Sequence, residues 1–275
     1  NTLSSWPSST TIHPSPDQAR LMDWTLALPS GLEMADLAII WAIILFSSLL
    51  RSFTGFGFAL AAVPAFSLLL TPAQSVVLTA SLALGIGITS APSYWGKTHL
   101  RAMLPLMGAS LAGTVVGASL LVAISPRYFH LCIGLAVIVA CGVLSVYRPG
   151  HHRSRPLLGG ITGLLSGLLN GAFAIPGPPV IVYAMATESL PEKSRSLLIT
   201  FFTYSALVAL LSYAGAGLVN LDSLWLFLLA FPVMIVGDKL GYALFRRFAT
   251  GIYRGVAIAT LLFIGISTTI RAVWF

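Results

Sequence analysis

Residues 102–124 read AMLPLMGASLAGTVVGASLLVAI, a run without a single charge. Wound as a helix, about 20 apolar residues match the hydrocarbon thickness of a bilayer. Backbone N–H and C=O groups in lipid need internal partners, so only helices and closed barrels can cross it. A barrel strand would alternate apolar and polar residues over roughly 10 positions. This run does not alternate, so it reads as a membrane helix. Similar runs occur at 36–70, 74–95, 128–147, 157–186, 196–216, 223–245 and 251–273. Composition agrees: 57% of the 275 residues are hydrophobic and 8% are charged, whereas soluble domains carry roughly 25% charged residues. The fold class is an all-α polytopic membrane protein.

Two of the runs are interrupted. The first contains Arg51-Ser-Phe-Thr-Gly-Phe-Gly57 and the second contains Asn170-Gly-Ala-Phe-Ala-Ile-Pro-Gly-Pro-Pro179. Gly and Pro at that density break a helix. The two breaks belong to an internal duplication. Gly113-xxx-Gly117 matches Gly237-xxx-Gly241 at an offset of 124, and Gly55 matches Gly171 at an offset of 116. An extra loop at 187–195 in the second half would account for the difference. Each half is then one broken segment followed by three helices. Paired broken segments at corresponding positions point to a transporter binding site.

Charge placement sets the topology. Basic loops lie at 97–101, 148–155, 193–195 and 246–247, and basic-poor connections at 71–74, 125–127 and 217–222. Basic loops stay in the cytoplasm. All four share one side only if each broken segment enters the membrane and returns to its own side. The expected architecture is therefore two inverted repeats, each a re-entrant helical hairpin plus three transmembrane helices. The hairpin tips would lie near the midplane, the N-terminus outside and the basic loops in the cytoplasm of a cell-membrane protein. The domains divide as a Ser/Thr/Pro-rich extension at 1–33, repeat 1 at 34–147, a basic linker at 148–156 and repeat 2 at 157–275. Eight simple spans with parallel halves are the less favoured arrangement.

The net charge of +7 comes from these loops, so no nucleic-acid partner is implied; the partners are the lipid bilayer and a small anion. Cys132 and Cys141 share one apolar run and read as small buried hydrophobes. The two glycine pairs can pack within one protomer or build a homodimer, and their presence in both halves favours the former.

Thr54-Gly-Phe-Gly57 leading to Pro64, Gly163-Leu-Leu-Ser-Gly167 leading through Gly177-Pro-Pro179 to Tyr183, and Glu192-Lys-Ser-Arg195 together resemble the TauE/SafE sulfite-exporter family over about residues 36–273. The resemblance implies export of a small sulfur-containing anion such as sulfite or sulfoacetate, or of a related carboxylate. At 170–176 the chain departs from the denser glycine run usual in that family.

The residues support an anion independently. Helix N-termini carry unpaired N–H groups and partial positive charge, and each tip exposes one, near Gly57 and near Gly177. Arg51 lies deep in an apolar run, where an ionisable residue signals function. It maps onto Gly167 within the four-residue row Gly159, Gly163, Gly167 and Gly171, a packing face, so it should point into protein. Its guanidinium suits a sulfonate or carboxylate. The expected substrate-binding set is Arg51, Ser52, Thr54, Gly55, Phe56, Gly57, Asn170, Gly171, Pro176, Gly177, Pro178 and Tyr204. Arg195 at the cytoplasmic mouth and Asp238 are candidates for anion access or coupling. Asp238 lies within about two turns of the basic loop at 246, and pairing there is the plainer role. The chain is not expected to be an enzyme: it has no HExxH motif and no paired intramembrane aspartates, and no cofactor or metal is implied. An anion channel or a membrane receptor of the same fold is the alternative to a secondary transporter.

Overall fold

The computed structural model describes residues 32–54, 57–94, 96, 100–146, 156–188, 190–248, 259 and 261–270. Most of the expected extension at 1–33, the linker residues 148–155, and Gly55 and Phe56 lie outside the described residues. Among the described residues every regular element is a helix. They are α1 (Met34–Thr54), α2 (Phe58–Phe66), α3 (Pro72–Tyr94), α4 (Leu100–Ala123), α5 (Pro126–Val146), α6 (Pro156–Phe173), α7 (Gly177–Thr187), α8 (Pro191–Gly215), α9 (Leu221–Phe248) and α10 (Leu261–Ile270). Seven of them, α1, α3 to α6, α8 and α9, are long and apolar enough to cross a membrane. Their outer faces are apolar, as Leu104, Leu111 and Val115 of α4 show by their exposure. Patches of that kind face lipid here; on a soluble protein they would mark an interaction surface or an aggregation hazard.

Local chemistry starts the helices where the sequence allows. Thr71 and Gln74 bond each other's backbone N–H at 3.3 and 3.1 Å, a reciprocal capping box that opens α3 with Pro72 in its first turn. Asn220 accepts the N–H of Ser223 at 2.9 Å and caps α9. Proline, which lacks the N–H that a first turn leaves unpaired, begins α3, α5, α6 and α8.

The expected extra loop at 187–195 is absent. Helix α7 runs to Thr187 and α8 opens at Pro191, so only 188–190 join them, against 67–71 in the first half. Pro191 fits the first turn of a helix, and Glu192 complements its positive end. Some of the extra length sits at the second tip. Gly57 has φ +105° and α2 follows at once; Ala174 has φ +53°, but Ile175 and Pro176 intervene before α7.

The glycine faces pack as close helix pairs within the chain. A Cβ at Gly163, Gly167 or Gly171 would strike backbone of α4 at Leu106, Ser110 or Thr114, and one at Gly113 or Gly117 would strike backbone of α6 at Leu164 or Leu168. In the same way Gly237 and Gly241 of α9 abut Ser48 and Ser52 of α1. Leu164 and Leu168 stand to Ser48 and Ser52 at an offset of 116, while the glycines facing them are related at 124. The same contacts thus occur in both halves at the two offsets. Each broken segment packs on a long helix of the other half.

Candidate functional site

The two breaks converge on one cavity of about 70 Å³. Gly57 and Phe58 bring the start of α2 to it, and Pro176 and Gly177 bring the start of α7. Its walls are the middle of α3, at Ala80, Ala83 and Gly87, and the middle of α8, at Phe202, Thr203 and Ala206. The α3 residues share one helical face, and their small side chains leave the space. Arg51, in the last turn of α1, closes one side.

The tips present their positive ends. An α-helix leaves its first amides without helical partners. The helical bonds of α2 begin with Ala61 N–H to Gly57 O, so these amides are those of Phe58, Ala59 and Leu60, and Gly57 at the cap position has no side chain to offer them. All three residues line the cavity. Helix α7 offers fewer donors, since Pro178 and Pro179 have none, and Gly177 supplies the amide at its start. The negative end of α6 is occupied instead. At the end of α6, Tyr213 donates its hydroxyl to Asn170 O at 2.8 Å and Gly171 O at 3.0 Å. Ser166 donates to Pro176 O at 2.6 Å. The Asn170 side chain donates to Ser205 O of α8 at 2.8 Å and Thr114 Oγ1 of α4 at 3.3 Å. Asn170 therefore both lines the cavity and braces its second tip.

Gly57 is needed where it stands. Its φ of +105° lies outside what an L side chain adopts without cost. Gly57→Ala is expected to destabilise the protein by about 1–3 kcal/mol and to distort the start of α2. Thermal unfolding in detergent would measure the effect, and an unchanged midpoint would show that the tip tolerates the strain.

Arg51 is mostly buried, with 16% of its side chain exposed, and its Nη1 lies 2.5 Å from Asp238 Oδ1 of α9. It points into protein. The described partner of Asp238 comes from α1 rather than from its own helix; the side chains of Arg246 and Arg247 lie outside the described residues. A second cavity opens beside this pair, lined by Arg51, Ser52, Ser90, Arg195, Asp238 and Tyr242, with Ile199. Arg51 and Ile199 belong to both cavities.

Of the residues expected from sequence, Arg51, Gly57, Asn170, Pro176 and Gly177 meet at the tip cavity. Ser52, Arg195 and Asp238 meet at the second. Gly171 instead packs against α4. Pro178 is absent from the cavity lining, as is Tyr204, whose hydroxyl donates to Met107 O of α4 at 3.0 Å. The side chain of Thr54 lies outside the described residues, as do Gly55 and Phe56. Thr203 of α8 and Ser90 of α3 belong to two polar clusters, at 200–205 and 89–94, that could line a cavity or bond between helices, and they line the first and the second cavity; for Ala80, Ala83 and Gly87 the small-residue spacing is the available signal. Among the described residues no cluster of His, Cys, Asp and Glu could hold a metal ion.

Fold and site together define a multi-pass helical membrane protein in which two broken segments meet around a small cavity beside a buried arginine. The family model described as Sulfite exporter TauE/SafE matches residues 40–268. The chain belongs to that family of membrane transport proteins. It is 28% identical over 230 residues to the probable sulfite/organosulfonate exporter TauE of Cupriavidus necator, an alignment covering 81% of this chain and 90% of that protein. No solved structure matches.

Proposed function

We propose that the chain exports a small sulfur oxyanion, sulfite or a short organosulfonate, and binds it in the tip cavity. One observation carries this reading: the amide-bearing start of α2, the start of α7 and Arg51 all border the same small space. Amides at a helix start and a guanidinium are oxyanion ligands. Apolar walls such as Ala83 and Phe202 strengthen each of those charge interactions by excluding water. The cavity is small. A water needs about 10–15 Å³ of such space, so about 70 Å³ has room for about five waters and admits an anion of the size of sulfite or methanesulfonate.

The two halves act as inverted repeats with their tips at the membrane midplane. The N-terminus lies outside, and the second cavity, with Arg195, faces the cytoplasm. The repeated close pairing of α1 with α9 and of α6 with α4 supports this arrangement, and so does the clustering of basic loops. Export needs no further energy source in principle. A potential of 100 mV, negative inside, favours the exit of each monovalent negative charge by about 2.3 kcal/mol.

The test is a panel of anions applied to purified protein, followed by flux from loaded proteoliposomes. Sulfite and methanesulfonate are expected to raise the unfolding temperature and to move across the membrane with saturation. Movement without saturation would favour a channel over a carrier. Failure of every anion to bind or move would refute the exporter reading.

A further inference from the structure

We infer that Asp238 is an internal competitor of the transported anion for Arg51, and that it passes to Arg195 when the anion binds. The inference rests on the proposal above that the anion is held at Arg51. A carboxylate has the charge and the planar pair of oxygens that a guanidinium recognises, and Asp238 Oδ1 already sits 2.5 Å from Arg51 Nη1. The arginine that borders the tip cavity is thus held from the neighbouring cavity by a group resembling the substrate.

Three features make this an exchange rather than a fixed bond. The backbone around Asp238 is closely packed, because Gly237 and Gly241 lie against Ser48 and Ser52, so the exchange asks only side chains to move. The Asp238 side chain is more accessible than that of Arg51, 35% against 16%, and it opens onto the second cavity. That cavity also holds Arg195, a second cation able to receive the released carboxylate, with Ser52 Oγ at 3.4 Å from Asp238 Oδ1.

Charge balance agrees. Arg51, Arg195 and Asp238 together carry one net positive charge. A monovalent anion on Arg51 with Asp238 on Arg195 makes the group neutral, without an added proton. Release reverses the exchange: Asp238 returns to Arg51 and expels the anion. A competitor of this kind weakens apparent affinity by the fraction of time it occupies the site, and it speeds release.

The experiment measures sulfite and methanesulfonate binding by calorimetry, and sulfite efflux from proteoliposomes, for the wild type, Asp238→Asn, Arg195→Gln and the double variant. Asp238→Asn is nearly isosteric and can still accept a hydrogen bond from Arg51. It is expected to bind about tenfold more tightly and to export several-fold more slowly. Arg195→Gln is expected to weaken binding about threefold in the wild-type background and to have no effect in the Asp238→Asn background, the non-additivity expected of residues in one charge network. Equal or weaker binding by Asp238→Asn would overturn the inference and leave Asp238 as a structural support for Arg51. An undiminished Arg195→Gln effect in the double variant would overturn the hand-over. If Asp238→Asn does not fold, Arg195→Gln alone decides: unchanged affinity refutes the exchange, and weakened affinity supports it. Anion binding that is absent from every protein, wild type included, would refute the exporter reading itself and this inference with it.

Discussion

Arg51→Ala is expected to abolish anion binding and export, and to destabilise the protein by about 3 kcal/mol. The first effect follows from the tip cavity, where among the described residues Arg51 is the one charged side chain in the lining. The second follows from what the substitution leaves behind. Removing one partner of a buried ion pair strands the other charge, at a cost of about 3–5 kcal/mol. Asp238 is partly accessible through the second cavity, which puts the cost at the lower end. Removing both partners avoids the stranded charge, so Arg51→Ala with Asp238→Ala should recover most of the lost stability and none of the transport. Unfolding in detergent and sulfite efflux from proteoliposomes measure the two effects separately. Transport by the double variant at wild-type rate would remove Arg51 from the site.

Gly167→Leu is expected to prevent accumulation of folded protein. Helices in lipid gain little from burying apolar side chains, and close contact of backbones through small residues holds them together. A Cβ at Gly167 would meet the backbone of Ser110 rather than a flexible side chain, so α4 and α6 would have to separate. Overpacking in a core costs about 1–3 kcal/mol where neighbours can adjust, and more where they cannot. The second tip would move as well, because Asn170 holds α6 to Thr114 of α4. Gly160 on the same helix is the control, since nothing lies within 4 Å of a Cβ there. Gly160→Ala is expected to be neutral or to stabilise by about 0.5–1 kcal/mol. Monodispersity after purification and the unfolding midpoint would distinguish the two. Equal behaviour would show that the close packing of α4 on α6 does not hold the fold.

Much of this was legible in the chain because it depends on local composition. Uninterrupted apolar runs gave helices near the expected positions, since length and apolarity are properties of a segment alone. The breaks at Gly57 and at 174–176 were legible because Gly and Pro act on their own backbone. The glycine row of α6 announced a packing face through its spacing, and the duplication added that Arg51 should point inward. That expectation needs only helical periodicity and the matching of one half to the other.

Pairings between distant segments were not legible in the same way. Asp238 lies near basic residues of its own helix in sequence, yet its partner is Arg51, because the contact of Gly237 and Gly241 with Ser48 and Ser52 lays α9 along α1. Tyr213 gave no signal, although its hydroxyl occupies the carbonyls that end α6. Tyr204 has a hydroxyl suited to a binding role, but its position on α8 turns it towards Met107 of α4. By itself the sequence determined which segments are helices, where two of them break and which faces are small enough to touch. The tertiary structure alone decided which residues line the cavity between the two breaks and that the inward arginine already has an acidic partner. Helix formation and helix breaking are governed by neighbours along the chain, whereas cavities and ion pairs depend on which helix faces come to lie side by side.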